Sequence, residues 1–146
     1  MINKKLNQGQ SLFELVVAIS VIALILMGIV SVAAVSVRNS SFSRNSTIAN
    51  KYAQEATEWL RQQRDSNWSV FSTHSDSSGI TTCLGSEPLN AWGNCSAISG
   101  IFYRQVTLTT DAADINIINS EVLVTWTDSQ GDHEINDTTI FTYWNK

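Results

Sequence analysis

An α+β fold is predicted for this 146-residue chain. A long N-terminal helix, half transmembrane and half amphipathic stem, packs on a small antiparallel sheet of about three to four strands. Three observations lead there. Residues 15–37 carry no charge. Ile48, Tyr52, Ala56 and Leu60 then recur at every fourth position, with Ala49 and Ala53 beside them. Nearer the C-terminus, three runs alternate at the period of two that marks a strand with one buried face.

The uncharged run is about 23 residues, or roughly 34 Å as a helix, enough to cross the hydrocarbon core of a bilayer. Glu14 stands at its edge, with Lys4 and Lys5 just before it. An ionised carboxylate near the membrane centre disfavours insertion by about 2.5–3.5 kcal/mol or more, so Glu14 calls for a partner that neutralises it. Charge alone orients the span weakly, because Lys4 and Lys5 on one side face Arg38, Arg44 and Lys51 on the other.

Residues 38–64 continue as the stem. Lys51 with Glu55, and Glu58 with Arg61, have the spacing of helical ion pairs. Asn39, Ser40, Ser41 and Ser43 weaken the helix locally and suggest a bend. Residues 65–100 read as an irregular, serine-rich connection tied to the core by Trp68 and Phe71. The strand runs follow. Phe102, Val106 and Leu108 share one face, as do Val122, Val124 and Trp126, and the last run alternates Ile140, Thr142 and Trp144 with Thr139, Phe141 and Tyr143. Asp128, Gly131 and Asp132 supply turn chemistry between the last two. The domain plan is residues 1–9 as a leader, 10–37 as the membrane half of the helix, 38–64 as stem and 65–146 as a globular head.

A short basic leader, then Gly9, Ser11, Leu12, Glu14 and a long apolar helix resembles the type IV prepilin motif. The resemblance implies cleavage after Gly9, so that Gln10 becomes the new N-terminus and is N-methylated. It also implies that Glu14 meets the amine of a neighbouring subunit, where two charges that are costly alone in lipid become tolerable together. The sequence departs from the motif at Gln10, where Phe or Met is usual, and at Ser31, where many major pilins carry Pro. The second departure points to a minor pilin or pseudopilin, and residues 53–56 and 102–126 resemble minor pilins that prime assembly. The partners implied are other pilin subunits, a prepilin peptidase that also methylates, and an assembly platform driven by an ATPase. The location implied is the cytoplasmic membrane, single-pass with the N-terminus cytoplasmic and the head outside, and then a surface or periplasmic filament. The alternative is a signal-anchored envelope protein whose head binds a ligand and never assembles; it keeps residues 1–9, whereas a pilin loses them.

With the head outside, Cys83 and Cys95 either close a disulfide worth about 3 kcal/mol or remain two thiols, and the compartment favours the first. Net charge is −4, unevenly spread: residues 38–64 hold five basic and two acidic side chains, residues 65–146 ten acidic and two basic. So acidic a head fits direct nucleic-acid binding poorly, since phosphate contacts need clustered Lys and Arg. It suits neighbours that stack stem against head. No catalytic residue, metal site or cofactor is expected. His74 or His133 with a cysteine makes a weaker dyad than the disulfide makes a staple, and the acids Asp111, Asp114, Asp128 and Asp132 read as solvated turn residues.

Overall fold

The computed structural model describes residues 8–85 and 89–143, with backbone alone for residues 8–11. In order the elements are α1 (Gln8–Ser66), α2 (Trp68–Ser72), β1 (Ile80–Cys83), β2 (Phe102–Thr110), β3 (Ile117–Asp128) and β4 (Gly131–Thr142). The four strands form one antiparallel sheet in the order β1-β2-β3-β4. The long helix and the open sheet make the α+β fold that the sequence predicts.

The chain divides between Phe42 and Ser43 into two units. Among the described residues of the first, α1 is the only element, and its described side chains from Leu12 to Phe42 are exposed. Helical hydrogen bonding runs without a break through Asn39, Ser40, Ser41 and Ser43. Just beyond, Thr47 and Asn50 donate from their side chains to the carbonyls of Ser43 and Ser46 one turn back.

In the second unit the rest of α1 lies on one face of the sheet. Ala49, Tyr52, Ala53, Ala56, Trp59 and Leu60 are buried, with Ile48 packed partly against them. Small residues on this face leave room for the aromatics, which fill the space between helix and sheet. Tyr52 meets Phe102 edge-on with ring centroids 5.5 Å apart. The sheet answers with Phe102, Val106 and Leu108 of β2, Ile118, Val122, Val124 and Trp126 of β3, and Phe141 of β4. Burying each large side chain contributes about 1.5–3 kcal/mol, so this layer supplies most of what holds the unit.

Two parts of the head differ from the sequence expectation. The stretch read as an irregular connection contains α2 and β1. Helix α2 is set by Asn67, extended at φ −159°, whose side chain accepts from the Val70 N–H at 3.1 Å, and it delivers Phe71 to the core, 5.4 Å from the Phe141 ring. Strand β1 pairs Ile80 with Leu108 and Cys83 with Gln105, and four residues are too few to display a period. Strand β4 begins at Gly131, immediately after the turn, although its first residues are poor strand formers. A two-residue loop between Asp128 and Gly131, which takes φ +123°, aligns the register, and Trp126 then faces His133, Val124 faces Ile135 and Ile118 faces Phe141. Trp144, assigned to this strand from sequence, and residues 1–7 of the leader lie outside the described residues.

Candidate functional site

The outstanding chemical feature is the first half of α1. From Leu12 to Val37 the large hydrophobic side chains are 44–72% exposed, which water does not tolerate over such an area. The helix is long and apolar enough to cross a membrane. Its backbone is satisfied internally, as lipid demands. Two serines within it are satisfied as well: Ser20 Oγ donates to the Val16 carbonyl at 2.8 Å and Ser31 Oγ to the Met27 carbonyl at 2.9 Å. Ser31, where a proline would break the helix, therefore continues it.

Glu14 lies two residues into this exposed stretch and is itself exposed. It is the lone ionisable side chain between Gln10 and Val37. Gly9 and Gln10 fall in the first turn of α1, and Gln10 is separated from Glu14 by about one helical turn, roughly 6 Å along the axis. A carboxylate so placed can accept from a cation brought alongside in an apolar medium, where the pair gains far more than in water.

The head is pinned by a residue that the sequence reading counted only as charge. Arg104 is 2% exposed on the inner face of β2. Its Nε donates to the Leu84 carbonyl at 2.9 Å and one terminal nitrogen to the Tyr52 carbonyl at 2.8 Å. The same nitrogen lies 3.4 Å from Glu55 Oε2, so Glu55 turns to Arg104 rather than to Lys51, while Glu58 and Arg61 pair as their spacing suggests. One guanidinium thus joins the stem, the sheet and the loop after β1. The signal was present: position 104 falls on the apolar face between Phe102 and Val106, and a charged residue there must be paired. Thr57 and Asp137 are a similar case, the hydroxyl donating to Asp137 Oδ2 at 2.6 Å between helix and sheet.

Cys83 and Cys95 are joined in a disulfide across a separation of 12 residues. The bridge fixes a loop that the backbone also ties, with the Gly93 N–H donating to the Cys83 carbonyl at 3.0 Å and Gly85 N–H to the Asn94 carbonyl at 2.6 Å. Gly85 is obligatory here, because a Cβ on it would lie 2.0 Å from the Ser96 carbonyl oxygen. From this loop Trp92 reaches the stem, its ring centroid 4.8 Å from that of Trp59 and stacked 4.1 Å from that of His74.

At the β3–β4 turn Asp128 Oδ1 accepts from the Gln130 N–H at 2.7 Å and lies 3.0 Å from His133 Nε2. The Gln130 N–H holds the Asp128 carboxyl below its ordinary value; His133 and the Trp126 side chain pull the same way, and partial burial opposes them. The arrangement stabilises a turn.

Comparison of the chain with protein-family models, with curated proteins and with solved structures finds no match.

Proposed function

We propose that this protein is a structural subunit of a type IV pilus-like filament, of the minor pilin or pseudopilin kind, and acts by assembly rather than catalysis. The observation that carries the reading is the exposed apolar half of α1, with Glu14 as its lone charge, running on as one helix into a stem covered by a sheet. In this reading the membrane holds the apolar helix until the assembly platform extracts the subunit. The helix then buries the same surface against helices of other subunits. A prepilin peptidase cuts after Gly9 and methylates Gln10, and the new amine of one subunit meets Glu14 of its neighbour. The head stays outside the cytoplasmic membrane and forms the filament surface.

Intact-mass and N-terminal analysis of the chain recovered from native membranes tests processing. A chain that begins at N-methylated Gln10 is expected; one that keeps residues 1–9 in cells with an active prepilin peptidase supports the signal-anchored reading instead. Glu14→Ala tests the pairing. Membrane insertion should be retained or slightly improved, since a charge is removed from the apolar segment, while recovery in sheared filaments falls. Normal incorporation of this variant would overturn the role given to Glu14.

A further inference from the structure

The sheet has a second face. Opposite the helix, β3 and β4 direct Glu121, Asp132 and Glu134 outward, all exposed, among Thr107, Asn136 and Thr138. No Lys or Arg occurs at the outward positions of the four strands, and no described helix or strand lies over this face, whose β1–β2 side is bordered by the Cys95 and Ser96 segment beside Gln105 and Thr125. On the stem, Arg44 and Lys51 are exposed and two helical turns apart, on the side of α1 away from the buried Ala49, Ala53 and Ala56. Arg61 and Arg64, farther along, already hold Glu58 and Asp65.

We infer that the outer sheet face docks on the Arg44 and Lys51 side of the stem of a second copy of this chain. The inference rests on the filament reading above and gives it a lateral contact. Charge complementarity favours a second copy as the occupant, because each chain carries both halves. Spacing agrees. Arg44 and Lys51 are about 10.5 Å apart along the helix. Glu134 faces Thr125, four residues from Glu121 on β3, so the two carboxylates are about 13 Å apart along the strands and one strand apart across them. The long basic side chains absorb the difference. One chain cannot make the contact with itself, because its stem lies under the opposite face of its own sheet. The contact is head-to-stem and therefore heterologous, the type that repeats into an open helical array rather than closing as a dimer.

Zero-length carbodiimide cross-linking of the full-length chain in native membranes and in sheared filaments tests this. Isotope-labelled and unlabelled chains are mixed to mark links between copies. Lys51 is expected to join Glu121, Asp132 or Glu134 of another copy. Arg44→Gln removes the charge without adding or removing a carboxylate or an amine, and should lower that link by about fivefold or more, as should 0.5 M salt. Links from Lys51 to other acids, or a yield indifferent to Arg44→Gln, would overturn the inference. N-terminal mass on the same samples separates the two readings. Processed chains in filaments without this link sink the docking surface alone; the link between unprocessed chains that never leave the membrane supports the surface and sinks the filament.

Discussion

The two parts of α1 are built from the same backbone but need different surroundings. From Leu12 to Val37 the helix buries none of its large hydrophobic side chains within the chain. From Ser43 to Ser66 it keeps one stripe for its own sheet, and its charged residues hold salt bridges or face solvent. The first part finds no apolar cover among the described residues. The second takes it from Phe102, Val122, Phe141 and their neighbours. A change in one part should therefore leave the other's measurable property untouched.

The largest effect is expected at Arg104. Arg104→Leu leaves the Leu84 carbonyl without its side-chain donor, the Tyr52 carbonyl with its helical partner alone and Glu55 without its partner, and should destabilise the head by about 3–5 kcal/mol. Chemical denaturation followed by Trp fluorescence in detergent micelles reads this, and membrane insertion should not change. In the other part, Ile25→Asp puts a charge mid-span and should disfavour insertion by about 2.5–3.5 kcal/mol, read by membrane fractionation, with the head's unfolding midpoint unaltered. If either substitution damaged both properties, the division at Phe42 and Ser43 would not be energetic.

Removing the disulfide by Cys83→Ser with Cys95→Ser should cost the head about 3 kcal/mol, read in the same denaturation experiment. The tie between Trp92 and Trp59 makes the loss visible as a fluorescence change before global unfolding. The smallest effect concerns pH. Asp128 has a folded-state pKa below its unfolded value, so its contribution is present above the unfolded value and is lost as pH falls through the folded one. Asp128→Asn should flatten the acid limb of the head's stability profile and leave stability at neutral pH slightly lower.

Much of the architecture was legible in the residues. The stripe of Ile48, Tyr52, Ala56 and Leu60 and the alternation of Val122, Val124 and Trp126 repeat often enough to reveal a period and the face that it buries. Helix α2 and strand β1 stayed hidden because five and four residues cannot repeat. The start of β4 stayed hidden because Gly131, Asp132 and Glu134 have the composition of a loop, and only the turn beside them holds them in register. Arg104 was visible as a charge on an apolar face, but its partners come from residues 20, 49 and 52 positions away.

What the sequence by itself determined is therefore what local chemistry controls: an uncharged helix with a single carboxylate at its edge, an amphipathic stem, three long strands and a turn. Each follows from a period or from a residue's own conformational preference. Only the tertiary structure decided which cations meet which anions, which short segments become helix or strand, and which sheet face is left open with Glu121, Asp132 and Glu134 upon it. Those outcomes depend on groups far apart in the chain competing for the same partner, and a periodic pattern carries no record of that competition.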